Sequence, residues 1–354
     1  MAYAPSLDGA FLFGEGVHGW VDGRTGRYMD GLWLYDVKAH RWRNVSPGTD
    51  TRNPPELIVN RDGFMAVADG TPVPIATMVH GYQMTTWDSR RRRFMAMPNG
   101  HGYYKKPLPT VAAFITANRE RFNRSGASPW MFDIGAGRWM RSAITLPGRS
   151  PPSGVGDTLI YLASRDTVFF RHRKQIWFYQ PERNVWTRRN PTGPKLPFGI
   201  DATACYDPKR GRLYLGGGSY PVAKGPNALW IYDIDGDRFI DPGPRGDPGG
   251  NGYGTNGAML FCDLARDLVL LVRHKGKRRG IYAYRPGDNA WETVSRGLPA
   301  MWPDHYVSNG SSGFYHPGLD IYFFHVAGDS RDNGRILAYR YGRPRRMDKG
   351  GGAK

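Results

Sequence analysis

Five histidines, His18, His101, His172, His274 and His325, recur near the ends of apolar, strand-like runs. Five more polar residues, His80, Asp157, Asp201, Asn256 and Asn309, each stand just ahead of another such run. Imidazole and carboxylate are the groups that bind transition metals or move protons near neutral pH. Metal–nitrogen bonds are about 2 Å long, so histidines spread one to a repeat cannot all converge on one ion, and polar loop lining is the reading for them. No metal or cofactor is expected. The second group reads as polar lining of a central channel. A third set is aromatic: Trp20 and Trp302, with Asp304, His305 and Tyr306 beside the latter, and Tyr103 and Tyr104 followed by Lys105 and Lys106. Flat rings stack on sugars or cations, while Asp and Lys add direction and charge, so these nine are the candidate ligand contacts. The sequence carries no nucleophile elbow, phosphate-cradling glycine loop, zinc-protease helix or paired-cysteine metal motif, and no catalytic residue is assigned.

The elements that must position these residues repeat. The phrases GLWLYDVKAHRWRN (31–44), SPWMFDIGAGRWMR (128–141), QIWFYQPERNVWTR (175–188), ALWIYDIDGDRFID (228–241) and RGIYAYRPGDNAWE (279–292) place a second aromatic seven residues after the first. The pairs are Tyr35/Trp42, Phe132/Trp139, Tyr179/Trp186, Tyr232/Phe239 and Tyr284/Trp291. Turn formers between the aromatics make each phrase a tight hairpin. A second hairpin precedes most of them: TWDSRRRRFMAM (86–97), YLASRDTVFF (161–170), CYDPKRGRLYLGGG (205–218), FCDLARDLVLL (261–271) and FYHPGLDIYFF (314–324). Two hairpins give four antiparallel strands every 50 residues or so, the unit of a β-propeller blade.

Tyr–Asp turns, the Gly216-Gly217-Gly218 end of a second strand and the spaced aromatic pair resemble kelch repeats. The resemblance implies an all-β, single-domain kelch-type propeller over 1–343, with a loop and helix insertion at 101–127 and a basic, Gly-rich tail at 344–354. Counting RILAYRYGR (335–343) as a sixth third-strand gives six blades, and ELIVNRDGFMAV (56–67) reads as insertion rather than the remnant of a seventh. The first blade looks incomplete, with GAFLFGEG (9–16) as a second strand, so ring closure should bring Trp20 and Trp302 together at the seam of the last and first blades. Tyr315-His316 resembles the Tyr-His pair of the galactose oxidase family. Alignment within the repeat instead makes His316 a substitute for a turn aspartate. Eight of the eleven tryptophans fall in the phrases and read as blade packing. One face of such a ring carries only short turns, whereas the other carries the long segments 46–82, 100–128, 143–157, 217–228, 243–256, 296–309 and 326–334, and is the candidate functional face.

The 49 Lys and Arg against 31 Asp and Glu leave a net charge of +18, a field that gathers anionic partners. The expectation is a non-catalytic scaffold that presents a basic, aromatic face to an anionic glycan or acidic protein surface, alone or within a larger surface or virion assembly. The alternative is a carbohydrate-active enzyme of galactose-oxidase-like or sialate-mutarotase type. Nucleic acid ranks third, since the clusters at 88–93, 275–279 and 343–346 do not form one groove. Cys205 and Cys262 lack metal spacing and read as buried free thiols. No apolar run reaches the roughly 18 residues of a membrane span, and no leader is seen.

Overall fold

A computed structural model describes residues 1–14, 21–75, 83–97, 102–123, 126–146, 150–152, 157–196, 200–220, 229–249, 258–273, 279–298, 312–326 and 335–342, with backbone only at 102–103, 200–202 and 217–220. It is a six-bladed β-propeller of antiparallel sheets. Blade 1 is β1 (Ala2–Ala4), β2 (Gly9–Phe13), β3 (Leu32–Asp36) and β4 (Arg41–Ser46), and a separate hairpin follows, β5 (Leu57–Val59) with β6 (Met65–Val67). Blade 2 is β7 (Thr85–Asp88), β8 (Arg93–Ala96), β9 (Trp130–Asp133) and β10 (Arg138–Met140), interrupted by helix α1 (Pro109–Ala117). Blade 3 is β11 (Thr158–Leu162), β12 (Thr167–His172), β13 (Gln175–Gln180) and β14 (Val185–Arg189). Blade 4 is β15 (Ile200–Asp207), β16 (Arg212–Tyr220), β17 (Leu229–Asp233) and β18 (Arg238–Ile240). Blade 5 is β19 (Ala258–Asp263), β20 (Leu268–Arg273), β21 (Gly280–Arg285) and β22 (Ala290–Arg296). Blade 6 is β23 (Ser312–His316), β24 (Ile321–Val326) and β25 (Arg335–Tyr339), three strands among the described residues.

The first strands of all six blades touch in sequence, β1–β7–β11–β15–β19–β23 and back to β1, so the ring closes on itself. Blade 1 is complete, because residues 2–4 supply the first strand that the sequence did not reveal. Both faces of each inner strand meet a neighbouring blade, which is why runs such as Leu268–Arg273 are buried at every position rather than alternately. Inter-blade cores follow one another around the ring. Phe314 and Phe323 pack on Ala10 and Tyr35, and Phe11 and Phe13 pack on Phe94 and Trp139. Phe169 packs on Tyr232, and Tyr214 on Tyr284. Trp87 and Met95 share a core with Tyr161 and Phe170 between blades 2 and 3, and Phe261 on Phe324 completes the circuit.

The repeated aromatics are directly opposed cross-strand pairs: Tyr35 faces Trp42, Phe132 faces Trp139, Tyr179 faces Trp186, Tyr232 faces Phe239 and Tyr284 faces Trp291. The turn between each pair needs one residue in the left-handed region, and His40, Gly137, Asn184, Asp237 and Asn289 hold it at φ from 42° to 63°. An Asn or Asp there also accepts the tyrosine hydroxyl: Tyr179 donates to Asn184 (2.8 Å), Tyr232 to Asp237 (2.6 Å) and Tyr284 to Asn289 (2.9 Å). Where the tyrosine is Phe132, with no hydroxyl to place, the turn residue is Gly137.

The cysteine expectation is corrected. Cys205 and Cys262 form a disulfide, with Cα atoms 5.5 Å apart, between the inner strands of blades 4 and 5. Relative to the turn aspartates Asp207 and Asp263 the two cysteines are one residue out of register. Successive side chains on a strand face opposite ways, so Cys205 points toward blade 5 and Cys262 back toward blade 4.

Candidate functional site

The two ends of the propeller have different chemistry. At the short-turn end, an Asp closes the first strand and accepts backbone N–H groups of its turn, as Asp88 does from Arg90 and Arg91, and Asp207 from Lys209 and Arg210. Three residues on, an arginine returns to that Asp and also reaches the left-handed turn aspartate of the next blade. Arg91 bonds Asp88 (3.0 Å) and grips Asp166 with both terminal nitrogens (2.7 Å each). Arg210 bonds Asp207 (2.9 Å) and grips Asp267 (2.5 and 2.7 Å), and Arg266 repeats the arrangement with Asp263 and Asp320. Between blades 3 and 4 the turn residue is Gly211, and Arg165 pairs with Asp235 instead (2.7 Å). His316 does replace the turn aspartate: its Nδ1 accepts the Leu319 N–H (3.1 Å), which leaves Nε2 to donate to Asp8 of blade 1 (2.6 Å). In the basic stretch 88–93, Arg90 and Arg91 thus belong to blade-joining ion pairs with Asp166, whereas Arg93 pairs with Asp133 within blade 2. These turns are legible in the sequence, but the clamp between them is not part of any one repeat. The signal was the Asp-x-x-Arg spacing at 88–91, 207–210 and 263–266.

At the other end lie the strand starts, second-strand exits and long segments. Asp157, a predicted channel residue, is wholly buried just before β11, and both its oxygens lie 3.0 Å from Nδ1 of His172 at the end of β12. Continuing the β11–β12 register puts the two opposite each other on the sheet face that packs toward blade 2. Arg171, its neighbour, is also fully buried but on the face toward blade 4, and donates to the Arg173 carbonyl (2.5 Å). Arg273 occupies a similar exit in blade 5, 5.6 Å from the Tyr282 ring centroid, and donates to the Pro248 and Gly249 carbonyls. Gln83 was not singled out from sequence. Its backbone carbonyl accepts the Leu159 N–H (2.8 Å), and its side-chain amide pairs with both backbone groups of Ala204 (2.5 and 2.6 Å). One side chain from blade 2 thereby reaches past blade 3 to the inner strand of blade 4.

The insertion is a cap. Tyr104 from the turn before α1, with Leu108, Val111 and Phe114, packs on Tyr28, Val21, Met65 and Ile75. This small core joins the helix, the β5–β6 hairpin and the second-to-third loop of blade 1. Desolvation raises the Tyr28 and Tyr104 hydroxyls above their ordinary range. Arg141, at the end of β10, sits over the rings of Trp130 (4.6 Å) and Phe64 (5.1 Å) and ties the cap to blade 2. Burial pushes its guanidinium down to about 10. Lys105 and Lys106 are exposed on the cap, as are Arg119 and Arg121.

Of the remaining sequence candidates, Trp20, Trp302, Asp304, His305, Tyr306, His80, Asn256 and Asn309 lie outside the described residues, as do His18, His101 and His274. Tyr103 and Asp201 are described in backbone only, in the turn before α1 and on β15. Among the described residues no group of three or more His, Cys, Asp or Glu is placed to hold a metal, and no helix is long and apolar enough to cross a membrane. No protein-family model matches the chain, and no curated protein matches it significantly.

Proposed function

We propose that the chain is a kelch-type propeller that acts as a non-catalytic binding scaffold, its loop-bearing face turned to an anionic glycan or an acidic protein surface. The observation that supports this is the division of charge between the two ends. Turn aspartates gather at one end, where they hold the arginines of neighbouring blades. At the other end the cap exposes Lys105, Lys106, Arg119 and Arg121 against Glu120 alone on the same stretch. Long loops over a rigid closed ring are the usual place for recognition, and exposed cations there attract anions over about a Debye length.

A glycan array and an acidic-protein panel, read at low and high salt, test it. Binding should need no metal and fall at least about tenfold between 50 and 300 mM salt. Lys105→Glu with Lys106→Glu should weaken it further. Affinity that is flat with salt, or turnover of a sugar with stoichiometric copper, overturns the proposal. A second reading, a carbohydrate-active enzyme, draws on the Asp157–His172 pair, because a carboxylate on Nδ1 orients an imidazole for proton transfer at Nε2. His172→Gln would then abolish sugar turnover, while leaving simple binding intact under the scaffold reading.

A further inference from the structure

The outer edge of blade 6 breaks the rule that the other blades obey. In blades 1 to 5 the third strand is covered by a fourth, and among the described residues β25 pairs only with β24. Its exposure shows the difference. Leu34, Met131, Phe178, Ile231 and Ala283 are all buried, whereas the equivalent Ala338 is exposed. Tyr35, Tyr179, Tyr232 and Tyr284 are at most 4% exposed, whereas Tyr339 is only half-buried. The sequence after β25 also departs from the other blades. The residue five after the aromatic equivalent to Tyr339 is the left-handed turn residue in every other blade, and the sequence has Pro344 at this place, a residue type that does not adopt the left-handed conformation.

We infer that β25 is a docking edge for an extended segment of a partner protein, added antiparallel as the blade's fourth strand. An open strand edge with unpaired backbone groups is the substrate of such augmentation. The repeat also fixes the partner's side chains. The place opposite Tyr339 is filled in the other blades by Trp42, Trp139, Trp186, Phe239 and Trp291, so an aromatic belongs there. Charge complementarity sets its neighbour. Where the third strand ends in Asp233, the fourth supplies Arg238 (3.2 Å), and where it ends in Arg285, the fourth supplies Glu292 (3.0 Å), directly after Trp291. In blade 6 the equivalent residue, directly after β25, is the exposed Arg340, whose Nη2 donates to the Leu319 carbonyl (3.3 Å) at the surface, so the partner carries a carboxylate beside its aromatic.

The chain provides its own probe, a peptide copying Ala290–Arg296 (Ala-Trp-Glu-Thr-Val-Ser-Arg). Titrated into the full-length protein, it should bind and slow the exchange of outward-facing amides within Ile336–Tyr339. The same peptide with Glu292→Lys should bind about threefold to fivefold more weakly, the range of a cross-strand ion pair, and Arg340→Glu in the protein should invert that order. No binding, no protection at Ile336–Tyr339, or an order that Arg340→Glu leaves unchanged overturns the inference. Two outcomes in the absence of peptide overturn it as well. Slow exchange at these amides in the monomer would mean that the chain covers its own edge, and protection that grows with protein concentration would mean that a second copy does. None of these results depends on the loop face binding an anion.

Discussion

Replacing Arg91 by Ala asks whether the clamps between blades carry stability or merely decorate the turns. Arg91 holds Asp166 with two bonds of 2.7 Å and Asp88 with one of 3.0 Å, its side chain only 15% exposed. The Asp166 carboxyl is pulled from 3.8 to about 2, first by the Arg91 hydrogen bonds and next by the Tyr161 hydroxyl, with burial opposing both. A drop of that size corresponds to about 2.5 kcal/mol, which solvent at the fifth of the side chain still exposed reduces to roughly 1–1.5 kcal/mol. Asp88, 1% exposed, would lose its cation while keeping its backbone donors, at a further cost of about 1–2 kcal/mol. Arg91→Ala should therefore destabilise by about 3 kcal/mol near neutral pH. The pH dependence has a definite sign. A depressed carboxyl stabilises the fold above its unfolded value, near 4, and loses that contribution as pH falls through about 2. The gap between wild type and variant in urea unfolding should thus be constant from pH 7 to 5 and narrow below about 4. A gap under about 0.5 kcal/mol at pH 7, or one of equal size at pH 7 and pH 3, refutes the reasoning.

Trp186 is 2% exposed and donates from Nε1 to the Ala127 carbonyl (3.1 Å), so Trp186→Ala should cost about 3–5 kcal/mol in thermal or urea unfolding. The Cys205–Cys262 bond closes a loop of 57 residues, and its removal by the double serine variant should cost up to about 4 kcal/mol by chain entropy. Two titratable thiols in the denatured, unreduced wild type would contradict that bond. Gln83→Ala strips the Ala204 backbone of two hydrogen bonds, with an expected loss of about 1–3 kcal/mol and faster amide exchange at Ala204. Unchanged exchange there would mean that the crossing amide is dispensable.

The blades were legible because each is a local object. A hairpin with a seven-residue aromatic spacing needs only its own turn, so the pairing of Tyr179 with Trp186 or Tyr284 with Trp291 could be read without knowing any neighbour. His316 as a turn residue followed from the same alignment. What escaped was contact across blades. The Arg91–Asp166 and Arg210–Asp267 clamps link residues 75 and 57 apart in the chain, and no single repeat contains both halves. The disulfide was missed for the same reason, since the one-residue offset of Cys205 and Cys262 matters only once their strands are adjacent. β1 is three residues long, too short to show a period. The candidate site was legible only in part. Asp157 was found from its place before an inner strand, but its partner His172 required the β11–β12 register. Gln83 carried no signal, because an amide ahead of a strand looks like any loop residue.

The exceptions within the repeat are as informative as the rule, since each junction that lacks the arginine clamp is held differently. Gly211 offers no carboxylate, and there Arg165 turns to Asp235 while Ser164 and Tyr206 share a hydroxyl contact of 2.6 Å. At the closing junction Leu319 stands in the arginine's place, and His316 with Asp8 and the stacked Tyr3–Phe314 pair (5.2 Å) join blade 6 to blade 1. Between blades 1 and 2 the clamp positions hold Leu7 and Arg92, which cannot pair, and no ion pair joins these blades among the described residues. A cavity of about 280 Å³ lined by Leu7, Phe11, Leu34 and Ile134 opens at that junction, and Phe13 on Trp139 (5.0 Å) with the Trp139–Ser46 hydrogen bond (3.1 Å) holds it. The cap of α1 and the β5–β6 hairpin lies over these same two blades at the opposite end, with Tyr28 of blade 1 in its core and Arg141 anchoring it to blade 2. The insertion therefore does for this junction what arginine and aspartate do for blades 2–3, 4–5 and 5–6. Its exposed lysines sit where the ring is braced by added chain rather than by charge pairs.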